Sequence, residues 1–195
     1  MKSYKMLDMS FTELAEYLKT HDTIIIPYAL SEQHGAHLPL DVDIRNAEYI
    51  SQALAPALDC VIAPTLNYTF SGGMFPGTSN VKPNTFSNLV GEIIESLSLQ
   101  GFKNFIIVPG HGGSESLLHL KESLRILKWL NPSLKDTMIL LTQIWDFSPT
   151  WTAMFDNKDY HAAEAETSLL LHWCPEVVRK NIVMDEPEVA QRLRE

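Results

Sequence analysis

The feature that most limits how this chain can fold is a repeated alternation of short apolar runs, rich in β-branched residues, with segments of helical periodicity. Thr23-Ile-Ile-Ile-Pro-Tyr-Ala-Leu30, Cys60-Val-Ile-Ala-Pro-Thr-Leu66, Asn104-Phe-Ile-Ile-Val-Pro109 and Met138-Ile-Leu-Leu-Thr-Gln-Ile-Trp145 read as strands. They are too continuously apolar for one face to meet water. Between them, Ile44, Ala47, Ile50, Leu54 and Leu58 recur at helical spacing, as do Leu89, Ile93, Ile94 and Leu97, and then Leu117, Leu118, Leu120, Leu124 and Leu127. Ser10 with Glu13 has the form of a capping box for a first helix over Phe11 to Thr20. Strands that alternate with helices predict a three-layer α/β/α fold with a mainly parallel central sheet, in a single domain over residues 1–195. In such sheets functional groups gather beyond the carboxyl ends of the strands.

Composition narrows the chemistry. A net charge of −9, without a basic stripe, argues against nucleic acid as partner, whose backbone is held by clustered Lys and Arg. No run approaches the roughly 20 apolar residues of a membrane span. The charged N-terminus, Met1-Lys-Ser-Tyr-Lys5, does not have the form of a signal peptide. Cys60 and Cys174 lack a C-x-x-C spacing and are expected as free thiols in a reducing cytoplasm.

The polar residues that follow the predicted strands carry the functional signal. Ser31-Glu-Gln-His-Gly-Ala-His-Leu-Pro-Leu-Asp-Val-Asp43 packs Glu32, His34, His37, Asp41 and Asp43 into one strand exit. Glu-x-His at strand spacing puts Glu32 and His34 on one face, and Asp43 is placed either to cap the next helix or to return to the same point. Asn67 to Asn80, with Ser71, Gly72 and Gly73, is an irregular loop of the kind that lines a site. The glycines around His111 allow a tight turn that brings its imidazole to the exit of the third strand. Trp145 to Trp151 forms an aromatic loop suited to a pocket wall, and Glu166 sits among small and apolar residues, where a carboxylate needs a partner. Carboxylates and imidazoles that converge in this way suit a divalent metal. The charged stretch Asp185 to Glu195 reads as a surface arm or an oligomer contact.

Four of these blocks, Glu32-Gln-His-Gly-Ala-His-Leu-Pro-Leu-Asp-Val-Asp43, Phe75-Pro-Gly-Thr78, Gly110-His-Gly-Gly113 and His161-Ala-Ala-Glu-Ala-Glu-Thr-Ser168, together resemble the creatininase (creatinine amidohydrolase) family. The resemblance implies one or two divalent ions per chain, zinc first, with manganese or iron as alternatives. Position by position it makes Glu32, His34, Asp43 and His111 metal ligands, with Asp43 as the bridge, and Glu166 a ligand of the second ion. It makes His161 the group that handles protons near the leaving group, with Glu166 as its orienting partner if it is not a ligand. Ser71, Gly72, Gly73, Trp151 and Tyr160 are the expected contacts to a small-molecule substrate. A homo-oligomer, hexameric by analogy, is implied as well. The chain departs from creatininase itself at Gly113 and Tyr160, where that enzyme has glutamates, and at Pro109, Ser114 and Ala163, which argues against creatinine as the substrate.

The chemistry that follows is hydrolysis of an amide C–N bond in a small, cyclic substrate by water activated on the metal. Two alternatives stand beside it: ring opening at a C–C bond of a keto-inositol on the same site, and a non-catalytic metal-binding sensor or interaction protein. A serine or cysteine nucleophile is disfavoured, since no Gly-x-Ser-x-Gly elbow occurs.

Overall fold

A computed structural model describes residues 4–157 and 160–180. Its centre is a four-stranded, wholly parallel sheet in the order β2-β1-β3-β4, formed by β1 (Thr23–Tyr28), β2 (Val61–Ile62), β3 (Asn104–Pro109) and β4 (Met138–Leu141). In the middle strands β1 and β3, every residue after the first is buried. Continuous apolar runs are what a strand covered on both faces requires.

Alternate residues of each strand feed different layers. Ile24, Ile26, Phe105 and Ile107 pack with Phe86, Val90 and Ile94 of α3 (Pro83–Gln100), with Leu117, Leu120 and Leu124 of α4 (Ser114–Leu130), and with Tyr17 of α1 (Phe11–Tyr17). Ile25, Ile106 and Val108 face the other way, against Ile50, Leu54 and Ala55 of α2 (Val42–Leu58). Two short helices follow β4, α5 (Pro149–Asp156) and α6 (Glu164–Trp173). The latter joins α2 through Leu38, Val42, Leu170 and Cys174 and through stacking of Tyr49 on Trp173 at 5.0 Å. The three-layer expectation holds, and the Ser10–Glu13 capping box is present.

Four local expectations change. The second strand keeps only Val61 and Ile62, because three residues separate the Ala63 N–H on the Ile25 carbonyl from the Leu66 N–H on the Pro27 carbonyl, and the extra residue breaks the ladder; contact with β1 resumes as an isolated bridge at Leu66. The fourth ends at Leu141, after which the chain tightens into a 3₁₀ turn over Ile144–Phe147. The expected aromatic loop contains α5, started by Pro149 and capped by Ser148, whose Oγ accepts from the Trp151 N–H at 3.2 Å. Asp43 is not a cap: α2 begins one residue earlier, and the Asp41 carboxylate beside that start takes Arg45 at 2.9 Å. The Asp185 to Glu195 segment lies outside the described residues. Cys60 and Cys174 are free and buried. Among the described residues no helix is long and apolar enough to cross a membrane.

Candidate metal centre

All the carboxyl-end loops meet on one side of the sheet. The loop after β1 and the long loop after β2 are tied together where Ser31 Oγ donates to the Gly77 carbonyl at 2.7 Å and the Gln33 N–H donates to Thr78 Oγ1 at 3.2 Å. This tie sets Ser71 against Glu32, and Ser71 Oγ donates to Glu32 Oε1 at 2.6 Å. The loop after β3 is pinned by contact with a backbone. A Cβ on Gly110 would lie 1.9 Å from the Asp43 carbonyl oxygen, so only glycine lets the start of α2 come this close to the end of β3. His37 Nε2, 3.0 Å from Thr167 Oγ1, holds α6 to the first loop.

The result is a buried carboxylate flanked by two imidazoles. Asp43 Oδ1 lies 3.3 Å from His34 Nε2, and its other oxygen, Oδ2, lies 3.2 Å from His111 Nδ1. Glu166 Oε1 completes the His34 side at 3.4 Å, and Glu32 Oε2 completes the His111 side at 3.0 Å. Two three-sided pockets, Glu32–Asp43–His111 and His34–Asp43–Glu166, thus share Asp43. His34 Nδ1–H donates to the Glu32 carbonyl at 3.1 Å, which turns Nε2 toward the carboxylates. Glu166 is steadied from behind by the Ala162 N–H, offered from a residue in the left-handed region at φ 52°.

The electrostatics describe a site built for positive charge. Burial alone would lower the pKa of both histidines, but hydrogen bonds and charge from Asp43 and Glu166 outweigh it for His34, pushing it up to about 11. For His111, Asp43 and Glu32 outweigh the same burial and push it up to about 10. Burial works to raise the Asp43 pKa, yet the two histidines hold its carboxyl far below the usual carboxylate range. The contacts of Glu32 Oε2, His34 Nε2 and Asp43 Oδ2 are ion pairs without good hydrogen-bond geometry, a costly arrangement for buried atoms unless a cation gathers them. Oxygen and imidazole donors of this kind fit zinc or manganese.

The remaining expected residues are placed as follows. His161 is at the mouth, its ring 4.4 Å from that of His34 and its Nε2 2.8 Å from the Gln33 carbonyl oxygen. Ser71 and Gly72 give their N–H groups to Asn80 Oδ1, both at 2.9 Å, and Gly73 gives its own to Ser71 Oγ; these residues brace Glu32. Tyr160 is exposed at the rim, stacked on Phe155 at 6.1 Å, and Trp151 lines a cleft beside Glu166. At Gly113 a Cβ would lie 2.3 Å from His111 Nε2, so any side chain there would require the imidazole to shift. Sequence reasoning missed Asn46, buried at 3% exposure in the same cleft, and Asn80 and Gln33. The position of Asn46 three residues beyond Asp43, on the same helical face, was a signal that could have found it.

Comparison with known proteins bears on this geometry. The family model described as creatinine amidohydrolase matches residues 7–194. The creatinine amidohydrolase of Pseudomonas putida is 23% identical over 95% of this chain and 78% of its own length. The mycofactocin precursor peptide peptidase of Mycolicibacterium smegmatis is 32% identical over 80% of this chain and 59% of its own length. The 3-dehydro-scyllo-inosose hydrolase of Thermotoga maritima is 31% identical over 53% of this chain and 34% of its own. A crystal structure of creatininase superposes with a TM-score of 0.83 at 23% identity, covering 96% of this chain and 78% of that one. A manganese form of creatininase gives 0.79 over 95% and 78%, again at 23% identity. A variant described as Zn–Zn type gives 0.80 over 96% and 79%, also at 23% identity.

Proposed function

The chain belongs to the creatinine amidohydrolase family, and from that premise we propose that it hydrolyses an amide C–N bond in a small, cyclic substrate other than creatinine. The observation that carries this reading is the division of Asp43, whose two oxygens address two separate pockets of nitrogen and oxygen donors. Glu32, Asp43 and His111 would hold one divalent ion, and His34, Asp43 and Glu166 a second. Zinc is the first candidate, with manganese next and iron after it. Such ions, when bound, supply a nucleophile at neutral pH and polarise the scissile carbonyl.

The chain's own groups do the rest. Ser71 fixes the rotamer of Glu32, and the Glu32 carbonyl fixes the tautomer of His34. His161 Nε2 rests against the Gln33 carbonyl oxygen at 2.8 Å and the Gln33 side-chain amide nitrogen at 2.9 Å, which holds the imidazole at the mouth, where it takes a proton from the attacking water and returns it to the leaving nitrogen. Trp145, Trp151, Phe155 and Tyr160 line a narrow cleft beside Glu166 and give the mouth of the site an aromatic wall. A cytoplasmic homo-oligomer, hexameric by analogy, completes the reading.

The deciding experiment measures metal content in the purified protein and in Asp43→Ala, alongside a panel of lactams, formamides, short peptides and keto-inositols. Two equivalents per chain that vanish in the variant, with turnover among the amides, are expected. Turnover of keto-inositols alone would replace the amide reading with C–C ring opening. A protein that takes up no zinc, manganese or iron would refute the enzymatic reading altogether.

A further inference from the structure

The two sides of the sheet end differently. On the β2 side the N-terminal segment covers the last strand, its Tyr4 carbonyl accepting from the Ile62 N–H at 2.7 Å, whereas β4 on the other side pairs with no further strand among the described residues. Between β4 and the flank of α4 runs a groove of about 580 Å³, floored by Leu117, Leu124, Ile139 and Leu141. It shares Gly112 with the aromatic cleft but contains none of the metal donors. The Met138 N–H donates to the Lys103 carbonyl at 2.7 Å and the Thr142 N–H to the Ile107 carbonyl at 3.0 Å. In a parallel ladder every second residue bonds to the same neighbour, so the N–H and C=O groups of Ile139 and Leu141 address the free edge. Met138 and Leu140 stand on the opposite face of the strand, each 45% exposed. The rim of the groove is cationic: Lys121, Arg125 and Lys128 line it and no acidic side chain among the described residues does, in a chain whose net charge is −9. Lys128 is held beside the start of β4 by donating to the Thr137 carbonyl, and Arg125 meets the exposed Glu122 at 2.9 Å, a solvent-screened pair that leaves its charge open to a better placed partner.

We propose that this edge is a docking site for an extended segment of a partner protein in which acidic and apolar side chains alternate. The segment adds to β4 as a further strand, its backbone pairing with the free groups of Ile139 and Leu141. Side chains on one face of such a strand recur about every 6.8 Å. Lys121 and Arg125, four residues apart on α4, are separated by about 6 Å along the helix axis, so carboxylates two residues apart on the segment meet them in turn. The residues between them lie on the other face, where they extend the apolar surface of Met138 and Leu140. Charge argues against a second copy as the occupant. Pairing β4 with its twin about a two-fold axis normal to the sheet sets both α4 helices on one face, with Lys121, Arg125 and Lys128 of each copy turned toward those of the other. The site is separate from the metal centre and stands whatever reaction that centre performs.

The test uses the zinc-loaded protein, labelled with ¹⁵N-isoleucine, and three blocked peptides of equal length: one of alternating glutamate and valine, its backbone N-methylated form, and one of alternating lysine and valine. The Ile139 amide signal, assigned by its loss in Ile139→Val, is expected to move downfield on titration with the glutamate–valine peptide as its N–H gains an acceptor. Neither of the other peptides should bind, and Lys121→Glu and Arg125→Glu should each weaken the glutamate–valine peptide about fivefold, the scale of one exposed ion pair. An Ile139 signal that stays in place at saturating peptide, or equal binding of the N-methylated or the lysine–valine peptide, would overturn the proposal, and none of these results depends on an altered groove. A dimer in sedimentation that the glutamate–valine peptide dissociates would give the edge to a second copy instead. Cleavage of the bound peptide would make the groove part of the catalytic site and remove its reading as a docking surface.

Discussion

Replacing Gly110 by alanine should damage the fold and the metal centre together. The added methyl would sit 1.9 Å from the Asp43 carbonyl oxygen and 2.9 Å from the Ala47 nitrogen, both of them backbone atoms of α2. Carbon and oxygen rest about 3.3 Å apart at closest, so the end of β3 and the first turn of α2 must separate by roughly 1.4 Å. Neither side is a flexible side chain, and overpacking of this kind costs about 3 kcal/mol or more. For a chain of this size that lowers the melting temperature by roughly 10 °C. The same displacement pulls His111 from Asp43, now 3.2 Å apart, and should weaken zinc binding by about 10- to 100-fold. Gly112→Ala is the control, because a methyl there meets only the Trp145 ring at 3.5 Å and 3.7 Å, ordinary contact. Differential scanning calorimetry and chelator competition on the two variants decide the matter. If Gly110→Ala melts within about 2 °C of the unaltered protein and holds zinc as tightly, close approach of backbones is not what joins these two elements.

Further outcomes follow from the same geometry. Ser71→Ala removes the hydroxyl that holds Glu32 Oε1 at 2.6 Å and should weaken metal binding about tenfold with little change in melting temperature; unchanged affinity by chelator competition would show that Glu32 needs no such brace. In the metal-free protein, His34 and His111 keep their protons up to about 11 and about 10, so zinc added at pH 7 should expel protons, seen as calorimetric heats that scale with the ionisation enthalpy of the buffer. Buffer-independent heats would mean that the histidines are already neutral. With folded values above the ordinary 6.5, the two histidines stabilise the metal-free protein fully below that pH and lose this contribution as pH rises through about 10 and about 11. Asp43, depressed below 3.8, contributes above that value and loses its contribution as pH falls toward its lowered pKa. The metal-free protein should therefore melt highest between these limits, and the gain from zinc should widen from pH 6 to 9; a gain that narrows would contradict the assignment.

Much of the architecture was legible because it depends on local rules. The unbroken apolarity of Ile24 to Tyr28 and of Phe105 to Val108 demands burial on both faces, and alternation with amphipathic helices leaves a parallel sheet as the economical solution. The strand ends were less legible. An extra residue between Ala63 and Leu66 breaks the β2 ladder, and β4 ends at Leu141, beyond which the chain turns into a 3₁₀ segment although β3 runs on to Pro109. Ser148-Pro149 announced a helix start within a stretch whose aromatic content suggested a loop.

Local patterning was enough to nominate Glu32, His34, Asp43, His111 and Glu166, a set of oxygen and imidazole donors of the kind that suits a divalent ion. Only the tertiary structure decided how they are shared. That Asp43 divides its oxygens between two histidines depends on the contact of Gly110 with α2, between residues far apart in the chain. That Ser71 serves Glu32 depends on the meeting of loops from different strands, and that Asn46 and Trp151 line one cleft depends on how α2 and α5 are placed. Periodicity reports which face of an element is buried; the partner on the other side of that face is a long-range contact, set by packing and backbone approach, on which local sequence is silent.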